Sequence, residues 1–511
     1  EILDLGTLDF TNYTWLAHSP QSLTKLNLLR WDGNVELPTS LIHFEAEYAD
    51  ISTSSFVSKL PSSLETFIVD FKLSGVELVV PLLPPSTRTL SFGEWSIYSD
   101  GVISSQNLLE QLPKSLTRFQ VVLGSALNPE LIPLLPSTLI DLKIIPTLPC
   151  SAWHLLPPQL TKLSLNIEEV SLCTVASTTT DSHGVLHEVR SIPFDSLPKS
   201  ITSLELYCSI SFLCSPPIDC NRSYFPPQLT YLMLSHVQLS PETAKLLPSS
   251  LTFLQIANLC ERVCKHLPSS LKTLRSESAL ITPNLIKFLP KSLTFLHLRI
   301  PRSGNSWFDY NTGQTIDSVS KLEEYSIHKS CTSHSFDWKD HSPLPSTLTE
   351  LGISNAIELG DTFLQHQQLP NLIHLDLRAS THFTDLSIPL LPPHLTFLDL
   401  GCSGNISGKS FEFLPRSLTQ LNLESSESIF DSDVQHLPRT LKHAMLEHAI
   451  HLTDLCIPDL PPHLERLDMR FNSQISTSSF PKFPYPLRSS QIENSASFAE
   501  WRVYYGVIKM L

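Results

Sequence analysis

Apolar residues recur along this chain in one short phrase, Leu-Pro-x-Ser-Leu-Thr-x-Leu-x-Leu. From Leu391 the phrase returns at Leu414, Leu437 and Leu460 with one constant step, and most of the other steps are only slightly shorter or longer. A fixed period of this kind indicates about twenty copies of one structural unit. Clear copies begin at Leu60, Leu112, Leu135, Leu156, Leu197, Leu247, Leu267, Leu289, Leu344, Leu391, Leu414, Leu437 and Leu460.

Each half of the phrase predicts a local structure. Proline lacks an N–H group and favours an extended conformation for the leucine before it, so each Leu-Pro separates one element from the next. The Leu-Thr-x-Leu-x-Leu half alternates apolar residues and predicts a β-strand. About 12 residues link successive strands, for instance through 384–390 or 431–437, which suits a short helical turn better than a full crossover helix. The pattern therefore predicts an α/β repeat solenoid, a horseshoe with a parallel concave sheet and short helical or irregular convex segments.

This arrangement resembles the leucine-rich-repeat superfamily over nearly the whole chain. The Leu-Pro-x-Ser-Leu-Thr-x-Leu phrase is most similar to the FNIP-type repeats of amoebal proteins. The Gly-x-x-Phe-Asn-x-Pro segment of those repeats is missing, and Asn472 is nearly alone in the place of the asparagine that usually follows the strand. Bacterial effector ligases also carry Leu-Pro repeats, followed by a large catalytic domain, whereas here the repeats run almost to the end.

The pattern also predicts the limits of the solenoid, which we place at residues 1–492. Leu3 precedes Leu26 by one full period, so the sequence begins inside a strand of an earlier repeat. Two insertions are expected as loops, a polar one near 168–191 and one near 301–315 that contains three aromatic residues. The aromatic loop suits contact with a partner, or it folds back on the sheet edge.

The last residues, 493–511, predict a C-terminal capping helix. Ser497 and Glu500 have the spacing of a capping box, and the apolar residues that follow fall on one helical stripe. The alternative is a docking helix for a partner. The stripe consists of Phe498, Trp501, Tyr504, Ile508 and Leu511.

Charge and cysteine content limit the partners and the compartment. The formal net charge of −15 repels phosphate backbones and anionic lipids, so we expect neither nucleic acid nor membrane as a partner. No apolar stretch reaches the length of a membrane span. Most of the ten cysteines are scattered, as in reduced cytoplasmic proteins, although Cys208, Cys214 and Cys220 are close enough for a disulfide in an oxidising compartment.

The sequence offers no converging set of catalytic groups, so we predict no enzyme activity, no cofactor and no metal. The nearest candidate is Cys260, Cys264 and His266, three possible ligands close together in the sequence. It lacks a fourth ligand in the sequence, and we interpret it as two buried cysteines and a solvated histidine.

Side chains between the strand leucines should line up in columns on the concave face. The candidate partner-binding residues are Tyr231, Met233, Phe253, Phe295 and His297, an apolar and aromatic patch, together with His374, Asp376, Arg378 and Asp399. The last four belong to a mainly acidic strip that would select a basic or mixed-charge protein partner. The alternative is that these charges only keep the face soluble. The full strip is Glu324, His328, Glu350, His374, Asp376, Arg378, Asp399, Glu424, His443, Glu447, Arg466, Asp468 and Arg470.

The pattern favours a non-catalytic interaction scaffold or recognition module that binds a protein on the concave face. A second hypothesis is the substrate-recognition part of a larger ubiquitin-ligase adaptor or kinase whose other domain is absent from this chain. An F-box or kinase motif upstream of residue 1 would decide for it. A third, an enzyme acting through the polar insertion, would lose its turnover when 168–191 is removed.

Overall fold

The chain forms two compact units, Glu1–Leu254 and Gln255–Leu511. Both are built from one repeating element, a strand, a connecting segment and a turn into the next strand. The computed structural model describes residues 2–5, 20, 22–31, 37–49, 60–71, 80–92, 105–122, 127–167, 174–180, 186–208, 224–235, 239–279, 281, 283–300, 307–309, 314–316, 343–355, 359–476, 479, 482–484, 487, 492–493, 501–504 and 507–510.

In the first unit, the repeat strands pair in parallel with their neighbours in chain order, and the pair β9–β10 stands apart from that sheet. The strands are β1 (Ile2–Leu5), β2 (Lys25–Trp31), β3 (His43–Ala49), β4 (Thr66–Phe71), β5 (Thr89–Phe92), β6 (Arg118–Val122), β7 (Asp141–Thr147), β8 (Lys162–Ile167), β9 (Thr174–Thr180), β10 (Leu186–Ser191), β11 (Ser203–Cys208) and β12 (Tyr231–Ser235). The next strand, β13 (Phe253–Leu259), begins at the end of this unit.

In the second unit, β14, β15 and β18 to β23 are parallel neighbours in chain order. From β19 to β23 each strand is short and of the same length, in agreement with the constant step of the phrase in this part of the sequence. The strands are β14 (Thr273–Ala279), β15 (Phe295–Arg299), β16 (Trp307–Asp309), β17 (Gln314–Ile316), β18 (Glu350–Ser354), β19 (His374–Asp376), β20 (Phe397–Asp399), β21 (Gln420–Asn422), β22 (His443–Met445) and β23 (Arg466–Asp468).

Short helical segments connect the strands, as the spacing predicts. They cover 80–82, 105–110, 129–134, 150–155, 194–196, 241–244, 261–264, 283–288, 361–365, 385–390, 408–413, 431–434 and 454–459. The fold class is therefore confirmed in each unit, an α/β repeat solenoid in which parallel strands alternate with short helical segments.

The Leu-Pro phrase works as the sequence suggests. The leucine before proline is extended, as at Leu391 with φ −63° and ψ 141°. The proline then begins a tight turn in which its carbonyl accepts from the N–H of the residue three positions on, as from Leu395 to Pro392 at 3.3 Å. The leucine that closes the turn is buried and lies just before the strand, as Leu395 does before β20.

The serine of the phrase has a separate role. Its hydroxyl donates to two carbonyls of the preceding repeat, as from Ser417 to Leu395 at 2.6 Å and to Pro393 at 2.9 Å. Thr440 makes the equivalent bonds to Leu418 and Arg416. This position therefore ties each repeat to the one before it, beside the backbone bonds of the sheet.

Aspartates link the connecting segments of the second unit. Asp385 accepts from the N–H and hydroxyl of Ser407 in the next repeat and from the hydroxyl of Ser410. Asp431 accepts in the same way from Thr453. Since the serine or threonine is the residue just before the helical segment, each aspartate fixes the start of the following one.

Both predicted insertions contain antiparallel strand pairs where they are described. Within 168–191, β9 pairs with β10, and within the second insertion β16 pairs with β17, which ends at Ile316. The loops expected there thus include short two-stranded ladders.

The C-terminal helix predicted for 493–511 is wrong. The described residues form β24 (Ile492–Glu493), β25 (Trp501–Tyr504) and β26 (Val507–Met510), and β25 pairs antiparallel with β26. The sequence between β25 and β26 is Tyr505-Gly506, and a glycine between β-branched and aromatic residues favours a hairpin. Because β25 also pairs with β23, sheet pairing outweighs the local capping signal. The solenoid limits of 1–492 stay a prediction.

Candidate functional site

Outward-facing side chains of the second unit form three columns across its sheet. Register pairing places the first and second columns side by side, and the third follows two residues later on each repeat. From β19 to β23 the first column is His374, Phe397, Gln420, His443 and Arg466, the second is Asp376, Asp399, Asn422, Met445 and Asp468, and the third is Arg378, Gly401, Glu424, Glu447 and Arg470. We call this surface the sheet face of the second unit.

A depression with a volume of about 260 Å³ lies on this face. Small-molecule sites usually span roughly 300–1,000 Å³, so this depression suits a single inserted side chain better than a whole small molecule. It is lined by Arg378, Phe397, Asp399, Gln420, Leu421, Asn422, His443, Ala444, Met445, Arg466 and Asp468.

Asp399 is the buried charge of the depression, with 9% of the residue exposed. It accepts from the N–H of Gly401 at 2.8 Å and from Nδ2 of Asn422 at 3.0 Å. Burial outweighs these two bonds and the nearby Arg378 charge and raises the pKa of the Asp399 carboxyl above its usual value. The depression therefore contains a carboxylate whose charge is incompletely compensated.

Apolar side chains contribute the other walls. The ring of Phe397 stacks on that of His374, with centroids 3.8 Å apart and planes 6° from parallel. Met445 is half exposed, and it occupies a column otherwise made of polar residues. An exposed thioether beside an ordered aromatic ring offers an adaptable apolar contact.

Two arginines of this face, Arg378 and Arg470, have carboxylate partners. Arg378 contacts Glu424 at 2.6 Å, across the repeat that carries Gly401 in the same column. Arg470 contacts Glu447 and, at 3.0 Å, Asp468. Burial by itself would lower the pKa of each guanidinium group, but the nearby carboxylates together outweigh it and raise the pKa of both. The ion pair with Glu424 leaves Arg378 partly neutralised at the rim.

His297, a member of the predicted aromatic patch, lies on β15 opposite Gly352 of β18. A side chain at Gly352 would meet its ring, since an added Cβ there would lie 2.6 Å from Nδ1. Burial lowers the pKa of His297 more than the neighbouring Asp376 raises it, and Arg275, His374 and Arg299 lower it further. His297 is thus favoured in its neutral form at neutral pH.

The structure distributes the predicted aromatic patch over both units. In the first unit Tyr231 stacks on Phe253, with centroids 4.1 Å apart, and the Tyr231 hydroxyl lies 3.8 Å from the sulfur of Met233. In the second unit the Arg275 guanidinium lies over the ring of Phe295 at 4.6 Å. Tyr231, Met233 and Phe253 therefore form a cluster, and each is only partly exposed.

Of the acidic strip, His374, Asp376, Arg378 and Asp399 belong to the columns of the sheet face, and Arg378 and Asp399 line the depression. That these residues bind a partner stays a prediction. Glu324 and His328 lie outside the described residues. The sequence interpretation missed Phe397, Asn422 and Met445. Their signal was present, because each stands two residues from another outward position on a repeat strand.

Cysteine and metal candidates give no site within the described residues. Cys260 and Cys264 are buried and His266 is exposed, as expected, and burial raises the pKa of the Cys264 thiol to about 12. No three His, Cys, Asp or Glu side chains of the described part are placed to hold a metal ion together. Side-chain positions of Cys208, Cys214 and Cys220 lie outside the described residues.

No helix described here is both long and apolar enough to cross a membrane.

The fold places the chain in the structural class of leucine-rich-repeat solenoids. Among solved structures, the chain is similar to the mouse RP105/MD-1 complex, at 15% identity and a TM-score of 0.44, covering 91% of this chain and 70% of that chain. CroV588, a circular leucine-rich-repeat protein, matches at 19% identity and a TM-score of 0.31, covering 90% and 72%. The leucine-rich-repeat protein LegL7 from Legionella pneumophila matches at 15% and 0.30, covering 62% and 96%. No family model matches the chain, and no curated protein matches its sequence.

Proposed function

We propose that this chain is a non-catalytic protein-interaction scaffold, and that the sheet face of the second unit binds a segment of a protein partner. The depression between Phe397 and Met445 is the observation that carries the proposal. An indentation that combines a half-exposed methionine, an aromatic ring and charged groups offers an anchor point of the kind that dominates protein interfaces.

Charge supports a basic or mixed-charge partner. Between β18 and β23 the face carries six carboxylates (Glu350, Asp376, Asp399, Glu424, Glu447, Asp468) and three arginines (Arg378, Arg466, Arg470). The excess of negative charge would speed the approach of a basic segment and reject acidic ones.

The test is selection of short random peptides displayed on phage against the full chain. Selected peptides are then measured on a face variant, Phe397→Ala with Met445→Ala. We expect a loss of affinity of about tenfold or more, because both anchors of the depression are removed.

The matched control truncates two exposed leucines of the connecting segments, Leu386→Ala with Leu455→Ala. These residues are 73% and 76% exposed, so the fold should tolerate their loss. Peptides that bind the face variant as tightly as the parent chain, or that depend on the two leucines instead, would contradict the proposal.

The alternative, substrate recognition within a larger ligase adaptor or kinase, would use the same face. The Tyr231, Met233 and Phe253 cluster is a separate candidate contact in the first unit. Tyr231→Ala tests it in the same peptide assay.

A further inference from the structure

The depression on the sheet face combines a buried acid with an apolar wall. Asp399 has 9% of its surface exposed and uses its two oxygens to accept one bond each. A carboxylate accommodates about four such bonds, so Asp399 keeps acceptor capacity for a further donor. The two donors, the backbone N–H of Gly401 and the side-chain amide of Asn422, are both neutral groups. They leave the negative charge of Asp399 without a full counter-charge.

The arginine whose charge acts on Asp399 does not fill this role. Arg378 lines the depression, but its guanidinium is bound to Glu424 at 2.6 Å. The pKa of the Asp399 carboxyl stays raised in spite of that arginine, because burial contributes more than the arginine charge. Arg466 and Asp468 add one charge of each sign to the lining.

The rest of the lining suits the stem of a long side chain. Met445 is half exposed, and the ring of Phe397 is held by its stack on His374. Lysine and arginine bury their methylene groups along apolar surface while the charged head contacts a polar group. The small volume fits one such side chain.

We propose that the depression is a pocket for one basic side chain of the partner, with Asp399 as its counter-ion and Phe397 and Met445 as the walls along its stem. This inference rests on the proposed function and names the chemistry of its anchor. Burial of Asp399 in the free protein then has a use, because an entering cation replaces the water that the carboxylate has lost.

The methionines of the chain allow a direct test. There are four, Met233, Met445, Met469 and Met510. Met445 lines the pocket and Met469 is buried, with 3% of its surface exposed. We would label the methionine methyl groups of the full chain with carbon-13 and titrate three blocked tripeptides, Gly-Arg-Gly, Gly-Lys-Gly and Gly-Glu-Gly, while recording methyl NMR spectra.

We expect the Met445 signal to move, saturably, with the arginine or lysine peptide and to stay in place with the glutamate peptide. The Met469 signal should not move with any of them. Asp399→Asn should weaken the response about tenfold or more, since a hydrogen-bonded charge pair is lost. The matched control is Asp376→Asn. This variant removes a carboxylate of the same charge from a residue that lies one strand away from Asp399 and outside the lining of the pocket.

If Asp399→Asn fails to fold, the pH dependence of peptide binding to the parent chain tests the proposal instead. Lysine and arginine stay charged at acid pH, so their binding should weaken as the pH falls through the raised pKa of Asp399. Protonation of His443, whose pKa is lowered by burial first and by Arg466 next, acts in the same direction. Arg378, Arg466 and Asp468 are the other charged groups that line the site. Asp376 lies one strand away, outside the lining, and acts on Asp399 through its charge.

Three results would overturn the inference: a Met445 response to the glutamate peptide alone, no Met445 response to any peptide, or equal losses in the two asparagine variants. The proposed function is judged separately by the phage-selected peptides. If those peptides depend on the face but carry no basic residue, the face binds a partner and the basic pocket is wrong.

Discussion

A backbone position repeated through the second unit makes a quantitative prediction. Among the described residues, six other than glycine have a positive φ, between 56° and 63°, one in each of six successive repeats, namely Asn355, Ala379, Cys402, Ser425, His448 and Phe471. For an L-residue this conformation costs roughly 1–2 kcal/mol. It persists because neighbouring repeats hold it, as where the N–H of Ala379 donates to the carbonyl of Gly401 at 2.8 Å.

Ala379→Gly should therefore stabilise the second unit. Glycine relieves roughly 1–2 kcal/mol of backbone strain and loses about 0.5–1 kcal/mol more conformational entropy on folding. The net gain is about 0.5–1 kcal/mol, and the only atoms removed are those of one methyl group. Because repeat arrays can unfold locally, one readout is native-state hydrogen exchange at the Leu377 amide, which donates to the backbone carbonyl of Asp399. The second readout is the urea midpoint of unfolding.

The matched control makes the same chemical change where φ is not positive. Ala449 is fully buried, so Ala449→Gly should destabilise by about 1–2 kcal/mol, from glycine entropy and the lost methyl. Opposite signs for the two substitutions are the expected result. If both variants lose stability by similar amounts, the strain at this position is not relieved by glycine, and the reasoning is refuted.

Other substitutions test the ladders between repeats. Ser417→Ala should cost about 1–2 kcal/mol, because it leaves the carbonyl of Leu395 without its hydroxyl donor, whereas Ser417→Thr should be nearly neutral; urea unfolding measures both. Gly408→Ala should destabilise by roughly 1–3 kcal/mol, since the new Cβ would overlap the carboxyl carbon of Asp433, while Gly404→Ala, with nothing within 4 Å, should have little effect on the melting temperature. Equal effects at the two glycines would count against the clash.

The repeat could be predicted from the sequence because its signals are local and recur. The Leu-Pro pair, the alternation in the strand and the length of the connection each point to the same structure, and each is repeated many times. The C-terminal residues lack that repetition. There a capping pattern at Ser497 competed with strand pairing to Asp468, a contact between residues far apart in the chain that no local pattern reveals.

Several stabilising details were present in the sequence but needed the structure to be understood. Only the stacking of repeats shows that the serine of the phrase bonds two carbonyls of the previous repeat, as Ser417 does. Likewise, Asp385 and Ser407 belong to successive repeats, so their contact appears only when the repeats are in register. The period predicts which positions of successive repeats are equivalent. Asp385 and Ser407 are not equivalent positions, so the period alone does not predict their contact.

The site was predictable as a surface but not as a depression. Strand alternation identified Asp399 and Arg378 as outward-facing residues. The length of each outward side chain and the contacts that it makes decide which residues enclose a space. Met445 contributes because it places a long apolar side chain between Asn422 and Asp468.

Glycines in the columns leave space for neighbouring side chains. Gly401 stands between Arg378 and Glu424 in the third column, and these two side chains pair across it. An added Cβ at Gly401 would lie 3.1 Å from Nδ2 of Asn422 and from Oδ1 of Asp399. Gly352 likewise leaves room for the ring of His297. Most charges of the face are satisfied within it and contribute little to binding, because a partner would have to replace contacts that already exist. Affinity should therefore depend on the buried Asp399 more than on the number of acidic residues around it.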